Sequence, residues 1–346
     1  MLKTDILFLI YVNNFTMQLV LCVGIVVREG VENLKKFLGV VFAATMAVSV
    51  CIGCDTEASN NVNSLQEGNF TQVQEAQNTE VQTVAKADYS AIRSDIEEII
   101  GGEYGEYSVY LWYSGYQQDD ALVINDQSRR SASMIKVFIM GYAMELASQG
   151  RLDLNSTITL TSDDKVGGAG VICGWDSGTD ISIRELISLM ITESDNTATN
   201  MMIDCLGMEN INSYIARNGY GETVLQRKMM DFDAVAAGRE NYSSVRDLGR
   251  FFTKLAQHQC VNADYDQQMI DILLRQTDTE VFPAALYGVD IAHKTGELDN
   301  LYDDGGIIFT AKGGYVLVIM NDGISRYSAV SKMQSIASAT YGAAPN

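Results

Sequence analysis

The segment that most constrains the fold follows Ser133, because residues 134–140 are apolar at every position except Lys136. A helix that is apolar on all faces has to be buried, so this segment predicts a central helix enclosed by other elements. Lysine is almost never fully buried without a partner. A lysine one turn into such a helix places a charged group in a buried environment. A conflict of this kind between charge and burial is typical of functional sites.

The elements on either side of this helix predict one sheet assembled from two distant parts of the chain. Two strand patterns come early and three come late, with mostly helical sequence between them over about 130–280. Helices are also predicted over 90–100 and 328–341, and Gly313-Gly314 predicts a tight hairpin. The fold class is therefore mixed α/β. The predicted strands are 107–113, 121–124, 289–293, 306–310 and 315–320.

The first 54 residues are predicted to be an N-terminal extension followed by an export signal. Two apolar runs, 6–27 and 37–53, open the chain, and the second follows two lysines and ends at Gly53-Cys54. This is the pattern of a secretory signal, and a small residue before Cys54 resembles a bacterial lipobox in which that cysteine carries lipid. A pair of transmembrane helices is the alternative. Both place the following residues outside the cytoplasm.

The organisation after Cys54 is predicted to be a tether and then a folded domain. Residues 55–87 are rich in Asn, Gln, Glu, Thr and Ser and contain a single Phe, so they cannot bury enough surface to order themselves. The domain then spans 88–346. Leu34 and the two lysines after it are similar to an ordinary lipoprotein start, which makes residues 1–33 an expected extension upstream of the true start.

The composition excludes several classes of partner. The 44 acidic residues against 24 Lys and Arg give a net charge of −20 without any basic run, so nucleic acid is not an expected partner. His258 and His293, the two histidines, lie in different segments, and we expect no metal site. Three cysteines in the domain, Cys173, Cys205 and Cys260, are expected to be buried free thiols with at most one bridge.

Three short motifs then point to chemistry. Ser133–Lys136 (SMIK) places a lysine amine on the serine side of a helix N-terminus, and a desolvated lysine near another cation loses its proton more easily and activates a hydroxyl. A second copy, Ser162–Lys165 (SDDK), lies in an acidic stretch and is predicted to be solvated surface. Ser194–Asn196 (SDN) begins 61 residues after Ser133, and Lys294–Gly296 (KTG) begins 100 residues after Ser194.

With these motifs in this order, the chain from Tyr89 to Tyr341 resembles the class A β-lactamases and related serine hydrolases of the penicillin-recognising superfamily. The resemblance implies a three-layer sandwich, in which helices flank a five-stranded antiparallel sheet, and an all-helical subdomain. It also implies a monomer without a cofactor, acting on a β-lactam or a D-Ala-D-Ala-like peptide. A membrane is a partner only through the lipid anchor.

The resemblance assigns the catalytic roles. Ser133 attacks the scissile amide carbonyl, and Lys136 takes part in removing its proton. Ser194 bridges Lys136 and Lys294 and passes a proton to the leaving nitrogen. Since Lys136 fills the need for a base, His293 is expected to be structural.

The resemblance also assigns the contacts with substrate. Asn196 binds the side-chain amide of the substrate, and Thr295, with the lysine before it, meets a carboxylate. Gly296 completes that motif, and the backbone N–H groups of Glu297 and of the nucleophile form the oxyanion hole. Asp195 is expected to brace its loop rather than to react.

Two departures from the family pattern bear on turnover. Aligning residues 225–227 puts Met229 where β-lactamases carry the glutamate that activates the deacylating water, with Asp231 and Asp233 as the nearest substitutes. Residues 302–305 offer acids where an Arg normally holds the β-lactam carboxylate. We therefore expect an acyl-enzyme that forms and then hydrolyses slowly. The alternatives are a D-alanyl-D-alanine carboxypeptidase and a penicillin-binding sensor that does not turn over.

Overall fold

The structure is a computed structural model that describes residues 8–11, 20–23 and 87–345, apart from 118, 119 and 312. The chain divides into two units, 1–78 and 79–346. In the first unit the strands β1 (Phe8–Tyr11) and β2 (Val20–Val23) pair antiparallel. Cys54 and residues 55–86 of the predicted tether lie outside the described residues. None of the described helices is long and apolar enough to cross a membrane.

The second unit is a mixture of strands and helices. Its strands are β3 (Tyr107–Tyr113), β4 (Leu122–Ile124), β5 (Arg129–Arg130), β6 (Thr157–Thr159), β7 (Asp180–Ser182), β8 (Tyr242–Ser243), β9 (Ile291–Leu298), β10 (Leu301–Thr310) and β11 (Gly313–Asn321). Its α-helices are α1 (Ser90–Ile100), α2 (Lys136–Ser148), α3 (Ile183–Thr192), α4 (Asn196–Leu206), α5 (Met208–Arg217), α6 (Phe232–Ala236), α7 (Val245–Ala256), α8 (Ala263–Leu273), α9 (Phe282–Ala285) and α10 (Arg326–Gly342). Short 3₁₀ helices cover Gly101–Glu106, Ala132–Ile135 and Ile172–Gly174.

The predicted sheet is confirmed as five strands in the order β4-β3-β11-β10-β9. All its neighbouring pairs are antiparallel, and β9 is one edge. The two early strands thus join the three late ones across the helical middle of the chain. The short strands pair separately, β5 with β8 and β6 with β7.

Both faces of the sheet are covered, which makes the unit a three-layer sandwich as predicted. All seven residues of β3 are buried, and their alternation divides them between two cores. Tyr110 and Trp112 belong to the core that includes α2 and α7. Leu111 and Tyr113 belong to the core under α1 and α10.

Several strand boundaries differ from the predictions, most of all in β9, which ends at Leu298 rather than at 293, and in β10, which begins at Leu301 rather than at 306. The KTG motif was expected to follow its strand but lies inside β9, paired with β10 so that Lys294 faces Gly305. The polar residues of KTG lack the apolar alternation that predicts a strand. An edge strand beside a cavity does not need apolar side chains, so the sequence pattern alone does not indicate this part of β9. Gly313, expected in the hairpin turn, already pairs with Thr310 and so belongs to β11.

The central helix is buried as its sequence predicts. A 3₁₀ turn, Ala132–Ile135, leads directly into α2. Lys136 is the first residue of α2 and is fully buried. The buried lysine therefore lies at the junction of the two helical segments, three residues after Ser133.

Candidate active site

A cavity of about 440 Å³ lies beside the N-terminal end of α2. It is bounded by the turn that carries Ser133, by the SDN loop, by the edge strand β9 and by the segment 227–232. The structure thus brings the three motifs together around one space. Five of the residues assigned from sequence line it: Ser133, Ser194, Asn196, Thr295 and Glu297.

Ser133 reaches the cavity because the chain turns sharply just before it. Ala132 has a left-handed backbone with φ of 42°, a conformation that a non-glycine residue adopts only under constraint. The Ser131 N–H donates to the Asn241 carbonyl at 2.9 Å, and the Ser131 carbonyl accepts from the Met134 N–H at 2.8 Å. These bonds leave the Ser133 side chain half-buried at the cavity wall.

Lys136 is held by the SDN loop. Its Nζ donates to the Ser194 carbonyl at 2.6 Å and to Asn196 Oδ1 at 3.0 Å, and lies 3.2 Å from Ser194 Oγ. Burial, and then the positive charge of Lys294, lower the pKa of Lys136 well below its ordinary value, while Asp195 opposes them. Burial and the neighbouring positive charge therefore make Lys136 easier to deprotonate than an exposed lysine.

Lys294 approaches Ser194 from the other side. Its Nζ donates to Ser194 Oγ at 3.1 Å and to the Thr295 carbonyl at 2.7 Å. Burial lowers the pKa of Lys294 to about 8, although Asp278 and Asp304 act to raise it. Ser194 itself has φ of 51°. Its hydroxyl thus lies between two lysine amines.

Asp195 braces the SDN loop, as expected. Its carboxylate accepts from the Ala198 N–H at 2.8 Å, which caps α4, and from the N–H groups of Val171 and Ile172 at 2.6 and 2.8 Å. A Cβ on Gly170 would lie 2.3 Å from this carboxylate. The neighbouring loop can therefore approach Asp195 closely only because Gly170 has no side chain.

The acids of 302–305 lie away from the cavity, which changes their interpretation. Asp304 Oδ1 is 2.8 Å from His293 Nδ1, so His293 has a buried partner. Asp303 accepts from the Asn321 N–H at 2.9 Å. Burial raises the pKa of both carboxyls. The carboxylates that line the cavity are Glu193, Asp278 and Glu297, of which only Glu297 was assigned from the sequence, and only for its backbone N–H.

The segment with Met229 forms the opposite wall. Asn200 binds the backbone of Met229 twice, accepting from its N–H at 2.8 Å and donating to its carbonyl at 3.1 Å. Arg227 Nε donates to Glu240 Oε1 at 2.7 Å and ties the two ends of the loop. Met229 lines the cavity and is only 7% exposed. No sequence motif pointed to Asn200 or Glu240.

The second Ser-x-x-Lys motif does not line this cavity. Ser162 is exposed and donates to Asp163 at 3.3 Å. Lys165 is half-buried rather than solvated and donates to the Trp175 carbonyl. The two motifs share spacing but only Lys136 is enclosed.

The exposure of the cysteines differs from the prediction. All three are free thiols, but Cys173 and Cys205 are exposed and Cys260 is half-buried. The expectation of burial is therefore wrong for Cys173, which lies in a short 3₁₀ helix, and for Cys205, which lies near the C-terminal end of α4. Among the described residues, no group of three or more His, Cys, Asp and Glu side chains could hold a metal ion.

Solved structures with the same fold include β-lactamases and PBP-A. The β-lactamase of Sphaerobacter thermophilus is 23% identical, with 74% of this chain and 97% of that chain covered and a TM-score of 0.67. PBP-A is 26% identical, with coverages of 75% and 98% and a TM-score of 0.68. An ancestral class A β-lactamase is 18% identical, with coverages of 74% and 100% and a TM-score of 0.65. Comparison with the curated proteins gave no match.

The family comparison agrees with these structures. Residues 91–344 match the model of the beta-lactamase enzyme family. The match spans the folded unit from α1 to the end of α10, with all three motifs inside it. The chain therefore belongs to the beta-lactamase enzyme family.

Proposed function

We propose that the chain is a serine acyl-transfer hydrolase that opens a β-lactam or related amide through an acyl-Ser133 intermediate. The single observation that carries this proposal is the position of Ser194 Oγ, which lies 3.2 Å from Lys136 Nζ and 3.1 Å from Lys294 Nζ. Two buried amines around one hydroxyl provide a route for moving a proton. A role in structure alone does not require both lysines to be desolvated.

The acylation step uses these groups in order. The Ser133 hydroxyl oxygen forms a bond to the amide carbonyl carbon, and its proton passes to the neutral amine of Lys136. The carbon–nitrogen bond then breaks. The leaving nitrogen takes a proton from the Ser194 hydroxyl, which is resupplied from the lysine side, so the proton removed from Ser133 ends on the amine product.

The substrate contacts follow the same assignment. Asn196 Oδ1 accepts from Lys136 Nζ, and Asn196 Nδ2 donates to the Gly167 carbonyl at 3.1 Å. Because Asn196 also lines the cavity, a substrate amide would meet its side chain at the cavity edge. Lys294 and Thr295 would meet a carboxylate. The backbone N–H groups of Ser133 and Glu297 would bind the developing oxyanion. Gly296, which precedes Glu297 in β9, adds no side chain at this position.

We expect the acyl-enzyme to be long-lived. A thioether cannot accept a proton from water at neutral pH, and Met229 occupies the wall where the family pattern has a glutamate. Asp231 Oδ1 is engaged in capping α6, accepting from the Ala234 N–H at 2.9 Å. Neither Asp231 nor Asp233 lines the cavity.

A D-alanyl-D-alanine carboxypeptidase is the second candidate, favoured by the same methionine and by the likeness to PBP-A. A mutant of PBP-A was solved as an acyl-enzyme complex with penicillin G. A peptidase of this kind releases D-alanine repeatedly from a peptide while retaining penicillin. Measuring D-alanine release from an acylated D-Ala-D-Ala peptide distinguishes it from a sensor, which releases none.

The proposal is tested by covalent labelling with a fluorescent penicillin. Ser133→Ala is expected to abolish labelling, because Ser133 is the hydroxyl assigned to attack, whereas Ser194, the other hydroxyl at this end of the cavity, is held between two lysine amines. Ser162→Ala is the matched control and should label fully, since its serine lies in the exposed copy of the motif. Labelling that survives Ser133→Ala refutes the assignment.

A lipid anchor at Cys54 is a separate proposal that rests on the sequence alone. We expect the exported protein to partition into detergent and Cys54→Ala to release it or block its maturation. More than one acyl chain is needed for stable anchoring. An unprocessed N-terminus upstream of Cys54 in membrane-purified protein would favour the transmembrane alternative.

A further inference from the structure

Two buried side-chain oxygens lack hydrogen-bond partners behind the turn that carries Ser133. Among the side chains that the structure describes, Ser131 Oγ and Asp303 Oδ2 are the buried oxygen or nitrogen atoms without such a partner. Both residues are fully buried. A buried polar group left unpaired costs free energy and is rare, so two of them in adjoining segments indicate an interaction that links them.

Strand pairing places Asp303 against that turn. Asp303 in β10 is the partner of Gly296 in β9, and directly paired residues present their side chains on the same face of a sheet. On that face, a Cβ on Gly296 would lie 3.2 Å from Ala132 Cβ and 3.4 Å from the Ser131 carbonyl oxygen. The Asp303 side chain therefore lies on the face of the sheet that packs against the turn.

The backbone of Ser131 is already bonded, which leaves its hydroxyl as the group able to make a further bond. The Ser131 N–H donates to the Asn241 carbonyl, and the Ser131 carbonyl accepts from the Met134 N–H. These bonds help to hold Ala132 in its left-handed conformation. A bond to the Ser131 hydroxyl would be a third anchor for the turn that directs Ser133 into the cavity.

The arginines whose charge acts on Asp303 are bonded to other groups. Arg129 Nε donates to Ser108 Oγ at 2.7 Å. Arg130 forms an ion pair with Asp322 at 2.6 Å. The charged groups that act on Asp303, or on Arg129 beside it, are Arg129, Arg130, Asp322 and Glu106.

An ionised carboxylate at this position would be poorly compensated. Asp303 Oδ1 accepts from the Asn321 N–H at 2.9 Å, which is one bond for two oxygens. Burial raises the pKa of Asp303 well above its ordinary value of 3.8, against the opposing effects of Asn321 and Arg129. An uncharged acid also keeps a second negative charge away from the Glu297 N–H, which would bind the oxyanion.

We infer that Asp303 is an uncharged carboxylic acid that donates its Oδ2 proton in a hydrogen bond to Ser131 Oγ and thereby acts as a positioning residue for the Ser133 turn. The inference rests on the proposed acylation of Ser133 and adds to that reaction a residue outside the cavity. Because misplacing a reacting group by 1 Å lowers a rate by up to about 10²-fold, loss of this anchor should slow acylation about tenfold.

Thermal unfolding of the full chain at several pH values tests the charge of Asp303. The unfolded chain loses this proton near pH 3.8 and the folded chain only at higher pH, so the acid lowers stability as pH rises above 3.8. Asp303→Asn has no such proton, and its Tm should gain about 3 °C or more on that of the unmodified protein between pH 4 and pH 7. Asp299→Asn, at an exposed acid in the turn after β9, should show no gain.

A Tm difference for Asp303→Asn that stays constant or falls as pH rises would overturn the inference. It would mean that Asp303 is ionised in the folded chain and stabilised by an arginine. This measurement needs no reaction at Ser133, so its outcome does not depend on the proposed function.

Acylation rates with benzylpenicillin, followed by intact mass spectrometry at pH 7, test the positioning role. Asp303→Ala and Ser131→Ala should each react about tenfold more slowly, and the double variant no more slowly than either, because both remove one bond. Asp303→Asn keeps a donor at the same place and should stay within about threefold of the unmodified protein.

Losses that multiply in the double variant, or a loss in Asp303→Asn as large as that in Asp303→Ala, would overturn the positioning role while leaving the acyl-Ser133 proposal intact. No adduct with the unmodified protein would overturn the proposed function itself, and the thermal measurement would still decide whether Asp303 is uncharged.

Discussion

The two sides of the cavity differ in what they offer a reacting substrate. Beside Ser133, two buried lysines flank Ser194 within 3.2 Å of its hydroxyl. Across the cavity, the loop wall presents the thioether of Met229 on a backbone fixed by Asn200. In the proposed reaction, acylation uses only the first side, whereas hydrolysis of the ester needs a base on the second. This difference is the basis of our proposal that the chain keeps the first half-reaction and lacks the base for the second.

The largest expected effect comes from removing the base on the lysine side. Lys136→Ala should lower the acylation rate by about 10²–10⁴-fold, the usual contribution of general-base catalysis. Because the buried amine is replaced by an apolar group, the fold should survive, which thermal unfolding checks. Lys165→Ala, in the second motif, should acylate normally. An unchanged rate in Lys136→Ala would show that another group takes the proton.

Restoring a base on the loop wall should have the next largest effect. Met229→Glu is expected to shorten the lifetime of the penicilloyl adduct about 10²-fold or more, because the carboxylate would hold water against the ester. Met229→Gln is the matched control, of similar length without a basic group, and should leave the lifetime unchanged. If Met229→Glu also leaves the lifetime unchanged, the missing carboxylate is not what slows deacylation.

Loosening the loop wall should cost stability. Asn200→Ala leaves the N–H and carbonyl of Met229 without their partner, and an unsatisfied buried polar group costs about 1–3 kcal/mol. The free energy of unfolding, measured in urea, should fall by about that amount. Asn155→Ala, at an exposed turn position, should change it by less than about 0.5 kcal/mol. Equal stabilities would mean that the Asn200 contacts do not hold the wall.

The smallest effect is a pH dependence on the lysine side. The pKa of Lys294 lies at about 8 rather than 10.5, so its charged form is lost as pH rises through 8, and acylation should fall to half near that pH. Unfolding does not explain such a loss, since the unfolded chain binds more protons between pH 8 and 10.5 and this lysine therefore favours folding as pH rises. A flat acylation profile from pH 7 to 9 would contradict a role for charged Lys294.

The sequence predicted the parts that follow from local pattern. The buried helix, the five strands and the three motifs were all visible, because apolar runs and short spacings are read directly from neighbouring residues. The extent of β9 was not, since its polar residues do not alternate. Asn200 and Glu240 also escaped notice, because their roles depend on contacts between segments far apart in the chain.

The central claim is that Ser133 is acylated readily and released slowly. It is tested most directly by intact mass spectrometry of the unmodified protein with benzylpenicillin over time. We predict one adduct per chain that decays at about 10⁻¹ to 10⁻³ s⁻¹, the result of removing general-base catalysis from an ordinary turnover number. Rapid hydrolysis of many equivalents without an accumulating adduct would contradict the account, and its loss in Asp231→Asn or Asp233→Asn would then identify the base.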